Sequence, residues 1–94
     1  MREFEVMFIL VPDEKKVLDK EIRSVEELIQ NNGGKLEKTD QWGKKRLAYD
    51  IRDLEEGYYV LISFSAERTC IRELDRVMRI KESVLRHMII SKGE

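Results

Sequence analysis

The firmest constraint on this chain is the order in which its apolar residues change period, because period two and period 3.6 cannot be served by the same backbone. Phe4, Val6, Phe8 and Leu10 alternate with Glu5, Met7, Ile9 and Val11, which predicts a strand over residues 4–11. Pro12-Asp13 breaks it, and Asp13 is suited to accept a backbone N–H at a helix start, with Glu14 in the first turn. Leu18, Ile22, Val25 and Ile29 then recur at helical spacing, with Leu28 widening the stripe. Asn32-Gly33-Gly34 ends that helix, since these residues accept left-handed backbone cheaply. A long, irregular strand is expected from Lys35 to about Ile51; its polar first half suits a sheet edge, and Trp42-Gly43 marks a bulge. Beyond the bulge Leu47, Tyr49 and Ile51 alternate with Arg46, Ala48 and Asp50, which makes Tyr49 a core candidate. Residues 53–57 read as a turn, and residues 58–65 as a third strand with Val60, Ile62 and Phe64 on one face. A second helix over 67–80 carries Ile71, Leu74, Val77 and Met78, and a last strand over 84–91 precedes the charged tail Lys92-Gly93-Glu94.

Strand, helix, strand, strand, helix, strand is the order of a split βαβ, ferredoxin-like α+β fold. The preference for right-handed crossovers then favours a four-stranded antiparallel sheet with both helices on one face. At 94 residues one core serves the whole chain, so residues 1–94 are expected to be a single domain. If the helices cover the face bearing Val6, Phe8, Leu10, Val60, Ile62 and Phe64, then Met7, Ile9, Tyr59, Leu61, Met88 and Ile90 fall on the bare one. Apolar surface of that extent marks a docking site, and a protein partner is the economical occupant.

Composition excludes several classes. No apolar run reaches the roughly 20 residues that a spanning helix needs, so neither a membrane anchor nor a secretory signal is expected. Cys70 is the only cysteine and His87 the only histidine, which argues against an intrachain disulfide or an ordinary Cys/His metal site and fits a cytoplasmic protein. His87 has no serine, cysteine or carboxylate set by spacing to make it catalytic, and no cofactor is implied. Cys70, early in a helix, reads as structural, and Gly33-Gly34 lies at the wrong helix end for a phosphate loop. The net charge is −1 with 39% charged residues, so any affinity for nucleic acid has to come from segregation of charge rather than from its total.

The stretch Trp42-Gly43-Lys44-Lys45-Arg46-Leu47-Ala48-Tyr49-Asp50-Ile51 resembles the most characteristic segment of the bacterial S-six family of small-subunit ribosomal proteins. The opening Met1–Glu5, the segment Gly57-Tyr58-Tyr59, and Arg79-Ile80-Lys81 followed by Val84, Leu85 and Arg86 resemble other landmarks of that family in the same order. Two departures are Phe4, where the family usually has tyrosine, and Asp50, where it commonly has proline. The resemblance covers nearly the whole chain. It implies a non-enzymatic ribosomal constituent that binds small-subunit ribosomal RNA beside ribosomal protein S-eighteen, monomeric when isolated.

On that reading Arg79, Lys81 and Arg86, with Arg2 and Lys92 at the termini, form the favoured RNA-binding cluster, although Arg79 and Lys81 also complement a helix dipole. Lys44, Lys45 and Arg46 serve phosphate binding or protection of a sheet edge equally well. Trp42, Ala48, Tyr59, Leu61 and Met88 are assigned to the partner interface rather than to base stacking, since the aromatic consensus of an RNA recognition motif is missing. The other reading of the same fold is a ligand-sensing or small acyl-phosphatase-type domain; Val11-Pro12-Asp13-Glu14 puts acid where the latter needs a phosphate cradle.

Overall fold

A computed structural model describes residues 1–92; Gly93 and Glu94 of the expected tail lie outside the described residues. The elements are β1 (Arg2–Leu10), α1 (Lys15–Asn31), β2 (Lys35–Ile51), β3 (Leu54–Ala66), α2 (Arg68–Ile80) and β4 (Val84–Ser91). The strands form one sheet in the order β2-β3-β1-β4, with antiparallel neighbours throughout. The expected α+β ferredoxin-like arrangement is therefore the observed one.

Alternation in β1 and β3 decides which residues meet the helices. Val6, Phe8, Val60, Ile62 and Phe64 are wholly buried, and so are Val25 and Ile29 of α1 and Leu74 of α2. They join Phe4, Leu10, Leu18, Ile22, Cys70, Met78 and Val84 in one continuous core. Phe4 and Phe64 stack there with ring centroids 5.9 Å apart. Each fully buried aliphatic or aromatic side chain of this layer is worth about 1.5–3 kcal/mol, which is why the stripes at period two and period 3.6 face one another. Among the described residues no buried side-chain polar atom lacks a hydrogen-bond partner.

The Asp13 carboxylate accepts a backbone N–H at the start of α1, that of Glu14 at 2.7 Å, as expected. Three local expectations are corrected. Glu14 is the N-cap of α1 rather than part of its first turn. The hairpin turns at Arg52-Asp53, both with positive φ (53° and 63°), so residues 54–57 belong to β3 and pair back with β2. Tyr49 is not in the core but 63% exposed, because register shifts at Leu36/Lys38, Gln41/Gly43 and Arg46/Ile51 reset the alternation of β2. The bulge expected at Trp42-Gly43 is present, with Gly43 at φ +91°.

Candidate nucleic-acid and partner interface

The bare face of the sheet is built by cross-strand registers. Met7 stands opposite Leu61 on one side and Met88 on the other; Ile9 stands opposite Tyr59 and Arg86; Glu5 stands opposite Ser63 and Ile90. Met88 is 50% and Ile90 40% exposed, while Met7, Tyr59 and Leu61 are half-buried. An open groove of about 240 Å³ runs along this face, lined by Met7, Ile9, Tyr59, Arg86, His87 and Met88. Its floor is apolar and its rim carries a guanidinium, the composition of a protein-docking surface with a charged contact at one end.

One end of the face is closed by the β2–β3 hairpin. Leu47 and Ile9 are buried against Gly57, where a β-carbon would strike the Ile9 side chain and come within 3.3 Å of Leu47. Tyr49 then reaches Arg86: its hydroxyl accepts a hydrogen bond from Arg86 Nη1 at 2.6 Å, and the guanidinium carbon lies 5.9 Å from its ring centroid. The turn itself is fastened by Arg52, whose Nη1 donates to the Glu82 carbonyl at 2.7 Å and whose Nη2 donates to that of Val84 at 3.2 Å.

The residues expected to bind RNA are not gathered into one patch. Arg86 lies on the bare face, whereas Lys81 points into the helix layer, only 22% exposed, with its ammonium 3.5 Å from Glu21 and 3.3 Å from the Ser24 hydroxyl. Arg79 lies on the helix side, bonded to Asp75 at 3.1 Å and 71% exposed. A single cluster of Arg79, Lys81 and Arg86 is thus corrected to two separate exposed arginines and a largely sequestered lysine. Lys92 sits 3.8 Å from Glu5 at the far end of the bare face, and Arg2 is exposed at the start of β1. On the β2 edge Lys44 faces Glu56 at 3.9 Å, Lys45 lies 5.2 Å over the Trp42 ring, and Arg46 and Ala48 are exposed. Of the partner set, Tyr59, Leu61 and Met88 share the bare face, while Trp42, 46% exposed, and Ala48 belong to the β2 edge and the hairpin tip.

His87 faces the helices, 14% exposed, and its Nε2 shares a hydrogen bond of 2.8 Å with Asp75. That bond, and after it the Arg79 guanidinium, hold the Asp75 carboxyl below the usual carboxylate range. The histidine braces α2 against β4. Burial pushes the Cys70 thiol up, and its Sγ lies 3.7 Å from the Ile29 carbonyl oxygen, as befits a packed structural cysteine. Sequence reasoning missed Arg52 altogether: no side-chain pattern announces a guanidinium that bonds backbone carbonyls 30 and 32 residues away.

The structure is thus a split βαβ domain whose sheet has one face covered by helices and one largely apolar face with an arginine at its rim. The model of the family described as Ribosomal protein S6 matches residues 3–91. Small ribosomal subunit protein bS6 of Desulforamulus reducens is 43% identical, with all of both chains covered. The protein of the same name from Carboxydothermus hydrogenoformans is 42% identical, with 100% of this chain and 99% of that one covered. Among solved structures, 30S ribosomal protein S6 from Thermotoga maritima superposes with a TM-score of 0.92 at 26% identity, over 97% of this chain and 87% of that one. The chain belongs to the ribosomal protein S6 family, whose members are structural, non-enzymatic components of the small ribosomal subunit.

Proposed function

We propose that this chain, a structural constituent of the small subunit of the cytoplasmic ribosome, acts there by docking its bare sheet face on ribosomal protein S-eighteen and its exposed arginines and lysines on small-subunit ribosomal RNA. Family membership removes the acyl-phosphatase-type alternative. The observation that carries the proposal is the row Met88, Met7, Leu61 with Tyr59 and the rim residue Arg86 beside it: largely apolar side chains held in register on a face that the helices do not cover, with Ile9 of the same face buried under the hairpin. A face of this kind is spent surface in a lone monomer and becomes buried area in an assembly. The isolated chain is a monomer on this reading, because the face is completed by a different protein.

RNA contact then rests on the exposed cations Arg86, Arg79, Lys92, Arg2 and the run Lys44, Lys45, Arg46. Filter binding of the protein with S-eighteen to a small-subunit RNA fragment over a salt series tests the assignment. Removing one phosphate contact by Arg86→Ala or Arg79→Ala is expected to flatten the log–log salt slope by about 0.7–0.9. Lys81→Ala is expected to lower stability through its lost contacts with Glu21 and Ser24 more than it alters the slope. Slopes unchanged by both arginine substitutions refute the assignment.

A further inference from the structure

The hairpin that adjoins the docking groove, meeting it at Ile9, Tyr59 and Arg86, is held in place from the junction of α2 and β4. Beyond the Arg46↔Glu56 pair only Ile51↔Leu54 continues the β2–β3 ladder, and Ala48, Tyr49 and Asp50 are exposed. Such a tip, with few buried contacts of its own, opens at low free energy unless something else fixes it. Its turn residues, Arg52 and Asp53, sit in left-handed backbone, which for a residue other than glycine costs of order 1–3 kcal/mol. Yet the tip does position Leu47 over Ile9 and Tyr49 on Arg86. What offsets the cost is the guanidinium of Arg52, whose two N–H groups engage the carbonyls of Glu82 and Val84 where α2 passes into β4. The same stretch also receives β1, since the Val11 N–H donates to the Ser83 carbonyl at 2.9 Å.

We infer that Arg52 is a positioning residue for the docking groove: by clasping the Glu82 and Val84 carbonyls it holds the hairpin tip so that Tyr49 presents Arg86, already oriented, at the rim. This rests on the reading of that face as the site for S-eighteen. Preorganisation is the gain, because a partner docking on a mobile tip has to order it first. Lysine is a poor substitute, as one ammonium does not reproduce a planar fork across two acceptors.

Two measurements test this separately. Amide hydrogen exchange of Arg52→Ala is expected to speed about tenfold in residues 46–54, with the amides of Val6, Ile62 and Leu74 unchanged; this arm needs no partner. Titration with S-eighteen is expected to show a three- to tenfold weaker Kd for Arg52→Ala and a partial loss for Arg52→Lys. In a Tyr49→Ala background the Arg52 substitution should cost little further, the coupling expected if one residue acts through the other. Unchanged exchange at the tip, or faster exchange spread equally over the core, overturns the inference, and so do additive effects of the two substitutions. Failure of the unsubstituted chain to bind S-eighteen would instead strike the functional reading, while the exchange arm still decides whether Arg52 holds the tip.

Discussion

Truncating Met88 and Ile90 together separates the role of the bare face from that of the core. Met88 is 50% and Ile90 40% exposed, so folding has already taken up about half of each side chain and left the rest for a partner. Complete burial of such a side chain is worth about 1.5–3 kcal/mol, so each retains roughly 1 kcal/mol to be realised on docking. For Met88→Ala with Ile90→Ala the affinity for S-eighteen should therefore fall by about 2 kcal/mol, roughly thirtyfold. The same pair costs folding about 2 kcal/mol, since half of the burial and no cavity is lost. Leu74→Ala is the control: that side chain is fully buried, and emptying its site costs about 2–5 kcal/mol of stability. Urea unfolding gives the stabilities and isothermal titration the affinities. An affinity within twofold of the unsubstituted chain would show that the partner does not cover this face. A double variant losing more stability than Leu74→Ala would show that the two residues are structural after all.

Two further outcomes follow from named contacts. Asp75 has a depressed folded pKa, so its contribution to stability is present above the ordinary unfolded value near pH 4 and is lost as pH falls through the lower folded one; Asp75→Asn should flatten this acid limb of a thermal-melt series, and an unaltered limb would mean that the bonds to His87 and Arg79 do not persist in solution. Gly57→Ala should destabilise by about 1–3 kcal/mol because its β-carbon would collide with the Ile9 side chain, and combining it with Ile9→Ala should cost less than the sum; simple additivity in chemical denaturation would place the clash elsewhere.

The layers of this fold are legible in the sequence because burial there follows strict periods. Val6 and Phe8 against Met7, or Leu18, Ile22, Val25 and Ile29 along α1, place themselves without reference to any other element. The bare face is legible for the same reason, since a strand cannot hide one set of alternate residues without exposing the other. Tyr49 was not legible: three register shifts in β2 break the parity that would have assigned it. Nor was the turn. Gly57 invites a turn, but it is packed into a strand beneath Ile9 and Leu47, whereas Arg52-Asp53 lacks the asparagine-glycine signal that such a tight turn usually carries. The RNA cluster failed at the next level up, because neighbours in sequence are not neighbours on a surface where a helix passes into a strand. Lys81 ends the helix pointing at Glu21 of α1, and Arg86, five positions on, has crossed to the opposite side of the sheet.

On the proposed reading, that separation bears on how a protein with a net charge of −1 would hold an RNA. Cations spread on opposite sides of a sheet cannot form one deep basic cleft, and several are already engaged: Arg76 with Glu73, Arg79 with Asp75, Lys92 with Glu5. Solvent screens exposed pairs of this sort, so they yield readily to a phosphate, but few such exchanges add up to a high affinity. The apolar face supplies what the charges lack. Docking on a second protein, as proposed, would convert weak, scattered phosphate contacts into contacts held at a fixed spacing, and the second set of interactions would then proceed at high effective concentration. The chain alone should accordingly bind RNA weakly and the pair strongly, with the gain vanishing when Met88 and Ile90 are truncated even though every arginine remains.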